Sequence, residues 1–214
     1  MLHPGEPYTW LRYAENMAPS RDAELVQIVD AASADAARRA GSWLKCAPGC
    51  TQCCIGVFAI SQLDAARLRA GLDALNQTDS IRAASVRERA LESVSRLASA
   101  FPGDPRAGIL DPEQSAQFEN FANDEPCPAL DPASGLCDLY AARPMTCRVF
   151  GPPLRTAQGL GVCELCFVGA TSAEIAAAEL VLDTDQFEAK LNAEAEHAAE
   201  LCGETIVAWA LSRH

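Results

Sequence analysis

The chain has 214 residues, is 49% hydrophobic and carries a formal charge of −12 from 29 acidic and 17 basic side chains. That apolar content over that length can bury a full core, so the chain does not need a disulfide framework to hold it together. The acidic balance, with no stripe of basic residues, excludes nucleic acid and anionic membrane as partners, and no apolar run approaches the ~20 residues that cross a bilayer.

The first residues, Met1-Leu2-His3-Pro4-Gly5-Glu6-Pro7, have neither a basic start nor an apolar stretch, so they do not read as a secretory leader. A reducing, cytoplasmic location is the expectation. Tyr8, Trp10 and Tyr13 follow and are assigned to core cover, the commoner role of aromatics. Residues 20–43 are rich in Ala, Asp, Glu and Arg, and Leu25, Ile28, Val29 and Ala32 are spaced for one helical face. Residues 55–60, apolar and partly β-branched, suggest a brief strand. Ser61-Gln62-Leu63-Asp64 resembles a capping box that opens a helix carrying Leu63, Leu68 and Leu72. Thr78 or Asp79 caps another running to about Phe101, with Ile81, Val86, Leu91, Val94 and Leu97 inward. Pro102-Gly103-Asp104-Pro105 stops it. Residues 126–153 hold six prolines, too much punctuation for a long helix. Thr171-Ser172-Ala173-Glu174 is a third capping-box pattern, starting helix near Leu180, and residues 183–211 read as a longer terminal helix. The fold class is mainly α, with helices flanking a loop-rich cysteine core and at most short strands, near Val57 and the second cysteine stretch.

Nine of the ten cysteines read Cys46-x3-Cys50-x2-Cys53-Cys54, then Cys127, Cys137, Cys147 and Cys163-x2-Cys166. Thiolates two or three residues apart can turn back on one metal, and later cysteines can complete its coordination from elsewhere in the fold. No histidine lies between Lys45 and Phe167, so the ligation is all-thiolate, which selects zinc, iron–sulfur clusters or Cu(I). In a reducing compartment clustered cysteines are more often metal ligands or redox groups than bridges. The organisation that follows is an N-terminal arm over 1–19, a cysteine-cluster domain over 20–170 with a helical insertion at 61–125, and a C-terminal helical segment over 171–214.

The cysteine motif, followed by Val57, Ile60-Ser61-Gln62-Leu63-Asp64 and Arg67-Leu68, resembles the YkgJ-like cysteine-cluster proteins, described as zinc- or iron-chelating. The second half matches as well: Cys127-Pro128-Ala129-Leu130, then Gly135-Leu136-Cys137-Asp138-Leu139-Tyr140 and Arg143-Pro144-Met145-Thr146-Cys147-Arg148-Val149-Phe150. The likeness spans about 46–166. It implies a metal centre more firmly than a reaction, although members are often labelled iron–sulfur oxidoreductases. The Cys46-x3-Cys50-x2-Cys53 spacing is also that of radical S-adenosylmethionine enzymes. Strand–helix alternation is missing here, however, Gln52 stands where an aromatic is common, and the later cysteines would go unexplained.

A tetrahedral zinc needs four thiolates, as does a four-iron cluster. Nine cysteines therefore fit two four-thiolate sites with one spare, or a three-metal cage with bridging sulfurs. The side chains of adjacent Cys53 and Cys54 are expected to diverge and serve two centres, or one of them to bridge two metals. The first eight of the nine cysteines are expected to converge, leaving Cys166 as the ninth, optional ligand. Arg143, Arg148 and Tyr140 are candidates to bond to the sulfurs and offset their charge; alternatively, Arg143 pairs with a carboxylate and positions the turn at Pro144. Glu164 is assigned to solvent, Cys202 to a buried free thiol, and His3, His197 and His214 to solvent. The catalytic residues are not evident. The functions in view are an iron–sulfur oxidoreductase, possessing two four-iron clusters at most, a structural zinc module for protein contacts, and a protein that sequesters or delivers metal to a partner. No dinucleotide fingerprint or P-loop is present.

Overall fold

The computed structural model describes residues 18–156 and 159–213. The expected N-terminal arm, with Tyr8, Trp10 and Tyr13, lies almost wholly outside those residues, as do His3 and His214. The helices in chain order are α1 (Ala18–Ala40), α2 (Gln62–Thr78), α3 (Ser80–Leu97), α4 (Ser115–Phe118), α5 (Met145–Val149), α6 (Ser172–Ala177), α7 (Asp185–Ala199) and α8 (Val207–Ser212). Two antiparallel pairs complete the described residues: β1 (Gly103–Asp104) with β2 (Ile109–Leu110), and β3 (Leu154–Thr156) with β4 (Gly159–Gly161). The protein is mainly α, as its sequence periodicity indicates.

β3 and β4 lie between Cys147 and Cys163, near the second cysteine stretch as expected, but the strand expected near Val57 does not form. Residues 55–60 form no strand; Ile55 bridges Pro126 and Ile60 bridges Thr205, so an extended segment is pinned at its two ends. Its amides go to different neighbours: Gly56 N–H donates to Glu125 O (2.9 Å) and Ile60 N–H to Thr205 O (2.8 Å). A ladder needs one continuous partner, and this segment has two.

Capping sets the helix starts. The Ser61 hydroxyl accepts from Asp64 N–H (3.1 Å), but Asp64 does not reciprocate, because its carboxylate is committed to Arg67 and to Met145 N–H. Asp79 caps α3 by accepting from Arg82 N–H (3.0 Å). At α6 both halves of the box form between Thr171 and Glu174. The terminal helix is two helices. Glu200 stands in the left-handed region (φ 52°) at the end of α7, and the chain crosses to pair Thr205 with Ile60 before α8 begins.

That crossing builds the main core. Although α8 is short, Val207, Ala208, Trp209, Ala210 and Leu211 are all buried. It packs on α2 and α3 through Leu68, Leu72, Ala83, Val86 and Ala90. Trp209 sits 4.3 Å from Phe101 between ring centroids and donates its Nε1–H to Pro105 O (2.8 Å). The face of α3 differs from the expected one: Ile81 and Leu91 are exposed, while Ala83, Val86, Ala90 and Ser93 face inward. These small residues let α2 and α8 come close to α3, so the alanines rather than the larger side chains mark the contact. On α1, Leu25, Val29, Ala36 and Ala40 are buried, and Ile28 is exposed.

Two contacts carry this helical frame to the cysteine segments. Gly71 lies against the 3-10 turn Tyr140–Ala142, where an added Cβ would meet Ala142 Cβ at 2.3 Å. Arg39 at the end of α1 donates to Ala177 O (2.7 Å) and Glu179 O (3.0 Å), fixing the segment after Cys166.

Candidate metal centre

The first cysteines sit on two successive tight turns. Cys50 N–H donates to Ala47 O (2.9 Å) and Cys54 N–H to Thr51 O (2.8 Å), so Cys46 and Cys50 flank one turn while Cys53 and Cys54 end the next. Gly49, at φ 89°, supplies the left-handed position in the first turn.

The first turn meets the last cysteine pair. Cys166 N–H donates to Cys163 O (2.9 Å), Phe167 N–H to Trp43 O (3.0 Å), and Lys45 N–H to Cys166 Sγ (3.4 Å). Ala40, Trp43, Leu44, Cys163, Cys166 and Phe167 share one apolar cluster. Cys46 as a residue is exposed, but its sulfur is tucked under Gly151, where a Cβ would lie 2.8 Å from Sγ. Desolvation there, together with the neighbouring Cys166, Cys50 and Cys163 thiols, pushes the Cys46 thiol up to about 12. Burial and then Cys166 raise Cys163 in the same direction.

The second turn meets the central cysteines. Cys127 N–H donates to Cys54 O (2.8 Å), and Asp138 N–H to Ala129 O (2.7 Å), so a tight reversal returns Cys137 beside Cys127. Cys147 rides on α5, whose N-terminal Met145 N–H donates to Asp64 (3.0 Å). Cys53 and Cys54 close this second turn side by side. The two thiols act on each other, which holds Cys53 well below the usual thiol range, at about 6, and pushes Cys54 up. Burial raises Cys127 to about 12 and raises Cys137 and Cys147 as well; Cys147 also feels Cys127, Cys53 and Cys137.

All ten cysteines are free. Among the described residues no three His, Cys, Asp or Glu side chains stand in a ready-made coordination arrangement. Within each of the two groups the thiols act on one another, and each cysteine can turn its sulfur among staggered rotamers without moving the backbone. The donor chemistry fits a soft metal: thiols pressed together and desolvated resist ionisation until a cation offsets their charge. Cys166 is buried and lies beside Cys46. Cys202 is exposed, not buried, since it lies in the loop after α7. Glu164 and His197 are exposed.

The three side chains expected around the sulfurs act mostly on the backbone. Arg148 is 3% exposed and gives its donors to both Asp30 oxygens (3.0 and 2.8 Å), to Arg143 O (3.1 Å) and to Ala141 O. It therefore clamps α1 to residues 141–148. Arg143 pairs with Asp30 (3.3 Å), bonds Tyr140 O (3.0 Å) and stacks on the Tyr140 ring at 4.0 Å. That is the carboxylate-pairing alternative, although its charge also favours the Cys137 thiolate. Tyr140 is exposed and serves as the platform for Arg143.

Sequence spacing did not single out the residues that anchor the central stretch. The Asp138 side chain, 2% exposed, accepts from Arg82 and from Arg89 (2.6 Å), both on α3. Arg89 also donates to Pro128 O (2.8 Å), and its charge favours the Cys127 thiolate. Asp64, whose carboxyl burial pushes up, binds Arg67, which in turn binds Asp22 on α1. The adjacency of Asp138 to Cys137 was the one sequence signal available.

Residues 45–166 match the family model CxxCxxCC, described as "Putative zinc- or iron-chelating domain". No curated protein and no solved structure matches the chain. The match takes in more than half of the chain and all nine clustered cysteines, and the chain belongs to this family of metal-binding cysteine-cluster domains.

Proposed function

We propose that this protein holds iron–sulfur through thiolates alone and serves as an electron-transferring oxidoreductase of the cytoplasm. The observation that supports the reading most is that free cysteines from separate stretches are brought near one another, Cys46 with Cys50, Cys163 and Cys166, and Cys147 with Cys53, Cys127 and Cys137, with no histidine between Lys45 and Phe167. Hydrolytic zinc keeps an open position and usually has histidine ligands, which this donor set lacks. An iron–sulfur cluster supplies one-electron transfer at a potential set by its charge, by hydrogen bonds to sulfur and by exposure.

The chain's own residues adjust those quantities. Lys45 N–H donates to Cys166 Sγ, and Arg89 and Arg143 place positive charge near Cys127 and Cys137. Exposure at Cys46 leaves one edge open to a protein redox or metal-transfer partner.

A second reading, a structural zinc module, is favoured by one feature. Residues 126–139 contain no helix or strand, so metal–thiolate bonds would supply order that backbone ladders do not. Anaerobic purification with metal and sulfide analysis separates the two. Iron with matching acid-labile sulfide and a broad brown absorbance is the expected result. Colourless protein with tightly held zinc overturns the redox reading in favour of the structural one, and loosely held, exchangeable metal points instead to metal delivery.

A further inference from the structure

We infer that the nine cysteines form two separate centres, an outer one of Cys46, Cys50, Cys163 and Cys166 and an inner one drawn from Cys53, Cys54, Cys127, Cys137 and Cys147, and that the outer centre releases its metal first. This rests on the thiolate-ligation reading above and adds the division and its consequence.

The division follows the backbone. Two separate turns, closed at Cys50 N–H and at Cys54 N–H, divide the first four cysteines into Cys46 with Cys50 and Cys53 with Cys54. The first turn is tied to the last pair by Lys45 N–H to Cys166 Sγ (3.4 Å) and by Phe167 N–H to Trp43 O (3.0 Å). The second turn is tied to the central stretch by Cys127 N–H to Cys54 O (2.8 Å) and by the Ile55–Pro126 bridge. The Leu130–Cys137 bridge then brings Cys137 back beside Cys127. Only Thr51 and Gln52 separate Cys50 from Cys53 in sequence, so the two centres are neighbours without sharing a turn.

Their surroundings differ. The inner centre is braced from three helices: Arg82 and Arg89 of α3 pair with Asp138, Asp64 of α2 accepts from Met145 N–H, and Asp30 of α1 pairs with Arg148. Its five cysteines are all half-buried. The outer centre has Cys46 exposed and is closed by loop–loop contacts around Trp43 and Phe167. Release of a metal needs its loops to open locally, and the less braced region opens at lower free energy. Five inner sulfurs exceed the four a tetrahedral centre uses, and adjacent Cys53 and Cys54, which share one 3-10 turn, compete for one position.

The test uses the full chain, reduced and metal-free, titrated with zinc under argon and weighed by native mass spectrometry. The zinc-loaded chain is then challenged with EDTA while iodoacetamide labels released thiols, and the labelled positions are mapped. The wild type should take up two zinc ions, and Cys46, Cys50, Cys163 and Cys166 should label on the order of tenfold faster than Cys127, Cys137 and Cys147. The Cys46→Ser/Cys166→Ser and Cys127→Ser/Cys147→Ser double variants should each retain one ion. Labelling of all nine thiols at one rate, or loss of every ion from either variant with helical circular dichroism intact, overturns the division. Because the labelling order is read on the wild type, it decides the matter even if a variant fails to fold. Failure of the wild type to take up any zinc would sink thiolate ligation of zinc itself, a distinct outcome.

Discussion

Replacing Arg148 by methionine should cost about 3 kcal/mol of stability with the metal content held constant. The methionine keeps most of the aliphatic stem, so packing changes little and the loss is polar. Arg148 donates from Nη1 to both Asp30 oxygens and from its other nitrogens to two carbonyls, Ala141 O and Arg143 O. Breaking a buried ion pair from one side costs about 3–5 kcal/mol, and a lost hydrogen bond to a charged group about 1.5–3 kcal/mol. Asp30 is 40% exposed and recovers water when its partner leaves, which places the sum at the low end. In a domain of this size about 3 kcal/mol corresponds to a fall of roughly 6–12 °C in Tm. Thermal and urea unfolding followed by circular dichroism would measure it, and Arg148→Lys should recover only part, because an ammonium cannot reach three separated acceptors as a guanidinium does. A change within about 0.5 kcal/mol, the range of ordinary surface substitutions, would refute the clamp. So would metal loss with unchanged stability, because that result would place Arg148 on the sulfurs instead.

Asp138→Ala removes the carboxylate shared by Arg82 and Arg89 and should destabilise the protein by about 3 kcal/mol; in urea titration a variant as stable as wild type would show that the pair of arginines does not anchor the loop. Thr171 holds the Glu174 carboxyl below 4.5, through its amide first and then its hydroxyl. Because the folded value is depressed, this contribution is present above pH 4.5 and is lost as pH falls through the folded value. Amide exchange at Thr171 and Glu174 should therefore quicken as pH is taken from 6 to 3 after correction for intrinsic rates, and in Glu174→Gln it should show no such corrected dependence. Adding a chelator should strip exchange protection from residues 126–150 while α7, which has its own buried Leu191 face, keeps its own. Equal loss in both segments would mean one cooperative unit.

How much of this was legible in the sequence depends on the range of the interaction. Local chemistry read through clearly: Ser61, Asp79 and the Thr171–Glu174 box each cap the helix they precede, and the cysteine spacing marked the metal-binding segment. Long-range packing did not. Ile81 and Leu91 satisfy helical periodicity but face solvent, because close approach of α8 selects the alanine face of α3. Residues 200–206 look helical by composition and are broken because Thr205 must pair with Ile60. The arginines followed the same rule. Arg143 and Arg148 drew attention by standing beside cysteines, whereas Arg82 and Arg89, roughly fifty residues away in sequence, hold the stretch that carries Cys137.

X-ray absorption at the metal edge of the anaerobically purified chain tests the central claim, thiolate-only ligation, most directly. The account predicts sulfur as the only neighbour of the bound metal, at about 2.3 Å for zinc or for iron in a cluster. Nitrogen or oxygen among the nearest neighbours, at about 2.0–2.2 Å, or a chain that holds no metal at all, would contradict it.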